Sequence, residues 1–208
     1  CRLRPAAVAS TPFASIRDEP GAVLLSISFG DDDVERIDLP FEMPWFDAAL
    51  TSVIVSSNGQ LNLDGNTNRL AGCCLAFPIS ASSGYRGERI AFAQEDLNPS
   101  QGGLIWYVEK AASVVLSFES VRFFFNSGLI NVQVELFASG AVELRYGDGN
   151  MQGNSMAAGL QSNAHDAYLP VLGSDWVDGV TRTWPSDQSF FFDCVGVVPT
   201  AAPTASFA

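Results

Sequence analysis

The sequence predicts an all-β protein: an antiparallel β-sandwich of about 10–12 short strands joined by long loops. Three observations carry this. Leu129–Phe137 (LINVQVELF) alternates almost without a break, with Ile130, Val132, Val134 and Leu136 on one face and Asn131, Gln133 and Glu135 on the other, the period of a strand with one buried side. Thr51–Ser57 (TSVIVSS) is rich in β-branched residues, runs into Asn58-Gly59 and returns as Gln60–Leu63; Asn-Gly between two such runs is a strong hairpin signal. Eighteen Gly and eleven Pro are spread over 208 residues, as frequent turns require, and no stretch shows the apolar period of an amphipathic helix. Alternation with a polar face favours antiparallel pairing over a parallel sheet covered on both sides.

The elements follow in order. Residues 1–20 are Ala/Pro-rich without a clear period and read as an extended lead-in; residues 21–194 read as one sandwich domain, and 195–208 as a Pro/Thr/Ala-rich linker or tail. A chain of this length buries roughly 70 % of its unfolded surface, enough for one sizeable core. Ala22–Phe29 (AVLLSISF) reads as the first apolar strand, closed by Gly30 and the acidic run Asp31, Asp32, Asp33. Val34–Leu39 leads to Pro40, and the hairpin through Asn58-Gly59 follows. Asp64–Arg89 is looser, with Cys73-Cys74, Pro78 and a Ser/Gly stretch, and is expected to cross from one sheet to the other. Arg89–Ala93 and Leu104–Val108 flank a turn at Asn98-Pro99. Ser113–Val121 comes next, then Leu129–Phe137, which turns at Ser139-Gly140 into Ala141–Tyr146. Met156–Gln161 and Val180–Trp184 add short strands, and Phe190, Phe191 and Phe192 close the domain beside Cys194.

The charge balance excludes several roles. A net charge of −12, from 23 acidic and 11 basic residues, argues against nucleic acid, which calls for basic patches, and against anionic membrane surfaces. It suits solubility, or calcium-rich surroundings. Charged residues make up 16 % of the chain, below the usual value of about 25 %. Such a surface is either covered by neighbours or glycans, or furnished with Ser, Asn and Gln. No apolar run reaches the roughly 18 residues that span a bilayer. Cys1, Cys73, Cys74 and Cys194 include neither a CxxC pair nor a Cys/His cluster, so zinc is disfavoured and all four are disulfide candidates. Cys1 and Cys194 nearly bracket the domain, which suits a staple between its first and last strands. Adjacent Cys73 and Cys74 point to opposite faces of an extended chain. All three connectivities stay open. Bracketing cysteines suit an oxidising compartment, and the start at Cys1 reads as a mature end whose export signal has been removed. The expected location is therefore extracellular, at the cell surface or secreted.

Three segments, in order, resemble the recurrent motifs of nidogen-like modules. The first is Phe41, Trp45, Phe46, Ser52 and Ser56-Ser57-Asn58-Gly59. The second is Arg89-Ile90-Ala91, Asp96, Pro99, Gly102-Gly103 and Ile105. The third is Val132, Val134, Leu136, Gly140 and Tyr146, followed by Ala158-Gly159-Leu160. Together they cover Pro40 to Gln161. Asp47 stands where the family has Gly, Gln94-Glu95 where it has Trp, and Cys73-Cys74 falls outside the pattern. The Pro/Thr/Ala tail is similar to spacers of algal cell-surface proteins, including filament and flagellar-hair components. The resemblance implies an extracellular β-sandwich that serves adhesion or assembly rather than chemistry. Its partners would be copies of itself, matrix or cell-surface proteins, or glycans. Sheet edges are natural templates for strand addition. The aromatic pair Trp45 and Phe46 is the interaction candidate, and Thr200 and Thr204 are O-glycosylation candidates.

His165 is the one His. A triad would need it with Asp166 or Asp175, but no GxSxG elbow accompanies it, and a His in polar loop text is ordinarily solvated. Glu119, Glu135 and Glu143 lie on strands and could supply the paired carboxylates of a glycoside hydrolase, about 5–9.5 Å apart. Their place on polar faces predicts plain solvation instead. Asp64, Asn66 and Asn68 spell the opening of a calcium loop, although Arg69 and Leu75 replace the Gly and Glu of an EF-hand. They are the candidate structural Ca²⁺ ligands. Asp31–Asp33 and Asp148 with Asn150 are further oxygen clusters, with turn formation as the simpler account. A carbohydrate-binding module is the alternative reading, with Trp45, Trp106, Trp176 or Trp184 as stacking platforms, set against the frequency of aromatics in sandwich cores. A jelly-roll glycoside hydrolase is the third.

Overall fold

Runs of β-branched and aromatic residues bounded by turn residues become strands throughout. The computed structural model describes residues 2–6, 11–65, 76–79, 87–125, 127–162, 168–171, 177 and 179–195. Among these, the strands are β1 (Arg2–Ala6), β2 (Val23–Leu24), β3 (Val34–Trp45), β4 (Ala48–Ser56), β5 (Gln60–Asn62), β6 (Arg89–Gln94), β7 (Leu104–Glu109), β8 (Ser113–Arg122), β9 (Leu129–Phe137), β10 (Val142–Tyr146), β11 (Met156–Gln161), β12 (Tyr168–Pro170), β13 (Val180–Thr181) and β14 (Ser189–Val195). All pairings between them are antiparallel.

They form two seven-stranded sheets. The first runs β1-β14-β10-β9-β8-β7-β2. The second runs β12-β11-β6-β5-β4-β3, with β13 paired to β11. Each is built on a four-strand meander, β7 to β10 in the first and β3 to β6 in the second. The inner face of β9 is the predicted one: Ile130, Val132, Val134 and Leu136 are all buried. They join one core with Val53, Val55, Leu61, Ile90 and Phe92 of the second sheet. Phe92 and Phe118 meet edge-to-face across the interior, ring centroids 4.9 Å apart.

Four elements depart from the sequence expectations. The lead-in is part of the sandwich: β1 pairs with β14 from Arg2↔Val195 to Ala6↔Phe191. Ala22–Phe29 is not one strand. After Val23–Leu24 the chain turns into a 3₁₀ segment, Ser26–Phe29, because Ser28 folds back on β7, its Oγ accepting from the Ile105 N–H at 2.9 Å. The long segment after β5 does not cross between sheets, since β5 and β6 are neighbours in the same one. The crossing comes after β6, which lies in the second sheet while β7 lies in the first.

The outer face of the first sheet is the fourth departure. Gln133, Glu135 and Glu143 are buried, not solvated. Part of the cover is the lead-in itself. The Ser15 hydroxyl and the Ile16 N–H both donate to Glu119, at 2.7 and 3.1 Å, and Gln133 Nε2 donates to the Ala14 carbonyl. Ile16 packs with Val108 and Val115 in a second small apolar cluster, against which Trp106 rests. A polar strand face is thereby roofed by a segment remote in sequence.

Candidate functional site

The aromatic candidates resolve into core and rim. Trp45 is not available to a partner: it is 0 % exposed, and its indole N–H donates to Glu88 Oε1 at 2.9 Å. Phe46 carries a φ of 41° in the turn between β3 and β4. It packs against the core, edge-to-face on Trp45 at 5.0 Å. Trp184 is partly buried, donates to the Gly147 carbonyl at 2.7 Å and meets Tyr146 edge-to-face. Trp106 is partly buried, and its indole nitrogen is enclosed without a hydrogen-bond partner among the described residues. Trp176, His165, Asp166, Asp175, Thr200 and Thr204 lie outside the described residues.

The carboxylates proposed for hydrolysis are tied to neighbours. Glu135 and Glu143 sit opposite one another on β9 and β10, and both accept from Arg145 Nη2, Glu143 at 2.6 Å. The Ser113 hydroxyl binds the other oxygen of Glu135. Burial opposes the charge on Arg145, but its hydrogen bonds to Glu143 and Glu135 outweigh that and hold the guanidinium ionised. Glu119 anchors the lead-in. Cys194 is a bonded rather than a free thiol; its possible partners Cys1, Cys73 and Cys74 lie outside the described residues.

Of the oxygen clusters, Asp64 lies just past β5, its N–H donating to Asn62 Oδ1 at 3.1 Å, while Asn66 and Asn68 lie outside the described residues. Asn150 Oδ1 accepts from the Gln152 N–H at 3.0 Å, the local turn chemistry of such residues. Asp31 and Asp32 are different. They meet Asp96, with one ligand oxygen from each residue lying within 4.8 Å of the others. Sequence reading singled out Asp31–Asp33 but not Asp96 as a member of the group.

Three loops make this meeting. Asp33 is fastened to the β4–β5 turn, its N–H donating to Ser57 Oγ at 3.1 Å and its carbonyl accepting from the Ser57 N–H at 2.9 Å. Asp32 takes a φ of 54° and accepts from Asn58 Nδ2 at 2.7 Å. The other end of the Asn58 amide accepts from the Leu97 N–H at 2.8 Å, next to Asp96. Asn58 therefore ties the acidic loop to the loop after β6. Gly59 lets the turn sit this close: its φ is +73°, and a Cβ there would lie 2.3 Å from the Ala93 carbonyl oxygen. Burial, then the charges of Asp32 and Asp31, push the Asp96 carboxyl above its ordinary range. The same end presents two exposed aromatics. Phe29 (68 % exposed) precedes the acidic run, and Phe125 (78 %) follows Phe124, whose N–H donates to the Asp96 carbonyl at 2.9 Å.

The second motif of the sequence has a structural reason as well. Arg89 is fully buried and donates to the carbonyls of Phe77 and Pro78 at 3.1 and 3.0 Å, pinning that segment to β6. A family model described as NIDO related matches residues 6–184. The chain belongs to the NIDO-related family. The match takes in the strands from β2 to β13, and it bears out the nidogen-like resemblance. Nidogen-like domains are typically extracellular, and no helix among the described residues of this NIDO-related chain is long and apolar enough to cross a membrane. No curated protein and no solved structure matches it.

The sheet edges of this NIDO-related sandwich are blunted. β3 is a long edge strand, but it carries Pro40 and Pro44, the charges of Arg36, Asp38 and Glu42, and a register shift between Asp38 and Met43. β2 has two residues, β12 has three and ends in Pro170, and β1 carries Pro5 beside Arg4, with Arg2 at its start. These are the devices by which sheets resist strand addition.

Proposed function

We propose that this chain is a non-catalytic extracellular module for structure or adhesion, acting by contact with copies of itself, as in a filament, or with matrix or cell-surface proteins. The observation that carries the reading is the family match across the sandwich. The tied carboxylates support it: Glu119, Glu135 and Glu143 each hold a piece of the fold, which weighs against a hydrolase. The blunted edges direct contact to loops and faces, and the end bearing Phe29 and Phe125 is the best-furnished of these. Carbohydrate binding, the alternative, is weakened by the burial of Trp45 and the packing of Trp106 and Trp184.

Electron microscopy of natively purified protein tests this reading. Filaments or sheets that disappear in a Phe29→Ser/Phe125→Ser variant with an unchanged circular-dichroism spectrum would support self-assembly through that end. Isolated particles that bind an arrayed glycan would favour the lectin reading, and turnover of a β-glucan would overturn both.

A further inference from the structure

Asp96 is only 6 % exposed. Its carboxylate takes part in no hydrogen bond or ion pair among the described residues. An unpaired buried carboxylate is costly, and this one is aimed at two more, its ligand oxygen within 4.8 Å of those of Asp31 and Asp32. Neither Asp31 nor Asp32 is ion-paired to a described Arg or Lys. Local folding accounts for two contacts, the Asp32 N–H on the Asp31 carboxylate and the Asn58 amide on Asp32 Oδ1, which orients that carboxylate and leaves its second oxygen unclaimed. Three like charges held together, one of them buried, need a counter-charge.

We propose that Asp31, Asp32 and Asp96 bind a calcium ion. The donors are all carboxylate oxygens, with neither nitrogen nor sulfur, which selects a hard cation. Calcium–oxygen distances of about 2.3–2.6 Å allow two ligands of one ion to lie roughly 5 Å apart, whereas magnesium at about 2.0–2.1 Å limits them to about 4.2 Å. Calcium therefore accommodates a pair of oxygens anywhere up to the 4.8 Å within which these three lie. Asp31 is exposed, so water has access to complete the coordination. Bound there, the ion clamps the loop before β3 to the loop after β6 at the point where Asn58 already bridges them.

The test is calorimetric titration of the full chain with CaCl₂, paired with thermal melts. Extracellular modules bind calcium at roughly 10⁻⁴–10⁻³ M, and a tenfold excess over such a Kd raises Tm by roughly 3–6 °C for a chain of this size. One ion per chain is expected, with the heat and the Tm rise lost in Asp96→Asn and in Asp31→Asn but kept in Asp64→Asn. Without calcium, Asp96→Asn should melt at or above the wild-type temperature, because it removes an unpaired buried charge; a carboxylate needed by the fold itself would behave the opposite way. Asp31 is exposed, so its variant keeps the test decisive if Asp96→Asn fails to fold. No binding heat in the wild type, an undiminished response in Asp31→Asn, or a response lost in Asp64→Asn alone would overturn the site.

Discussion

The Tyr146 hydroxyl donates to the Phe92 carbonyl oxygen at 2.6 Å, joining β10 of one sheet to β6 of the other through the core. A slip in β-ladder register accounts for it. β6 and β11 lose register where Ala91↔Gly159 gives way to Gln94↔Ala157. Ala158, at the slip, donates to the Gly179 carbonyl at 2.8 Å and accepts from the Val171 N–H at 3.0 Å, so it does not serve Phe92. Tyr146 serves it instead. Burial pushes the Tyr146 phenol far above its ordinary range, so it remains a donor at any physiological pH.

Tyr146→Phe should therefore destabilise the fold by about 1–3 kcal/mol, the cost of stranding a buried carbonyl, with little change in ring packing. Urea unfolding measures it. An unchanged midpoint would show that the carbonyl finds another donor.

Removing Arg145 alone should be worse than removing the whole cluster with it. Arg145→Met leaves Glu135 and Glu143 facing each other unneutralised, and breaking a buried ionic cluster from one side costs roughly 3–5 kcal/mol. The triple replacement Glu135→Leu/Glu143→Leu/Arg145→Met should recover most of that loss. Equal destabilisation by the single and triple variants in denaturant titrations would refute this account.

Gly59→Ala should cost about 1–3 kcal/mol from its backbone conformation alone, with the close approach to the Ala93 carbonyl oxygen adding to it. The loss should be accompanied by faster amide exchange at Leu97, because Asn58 hangs from the same turn. Destabilisation without that local effect would separate the turn from the acidic loops.

Ile16→Ala should cost about 2–5 kcal/mol, as for a buried aliphatic core residue. A variant as stable as the parent would mean that the lead-in contributes little to the roof over β8 and β9.

Much of this was legible in sequence because it is local. The alternation of β9 marks its inner face, and Ser57-Asn58-Gly59 marks a turn, whatever surrounds them. What covers a strand's outer face is not local. Nothing around Glu135 says that Arg145 pairs with it, nor anything around Gln133 that the Ala14 carbonyl covers it, so solvation was the natural expectation. Trp45 read as an interaction candidate because its partner Glu88 is distant in sequence. Asp31 and Asp32 announced themselves by adjacency, but Asp96 joins them only because the Asn58 amide draws two loops together, a role invisible to a hairpin signal.

The pairing of β1 with β14 carries a mechanical consequence. Arg2 lies opposite Val195, so the chain enters and leaves the sandwich side by side. A load applied through both strands from that end meets the same rung first. It parts the two strands successively, as a zipper opens, rather than sliding them past one another with every rung loaded together. Such a joint should yield at low force in an optical trap and close again when slack, with Cys194 one residue inside the first rung to yield.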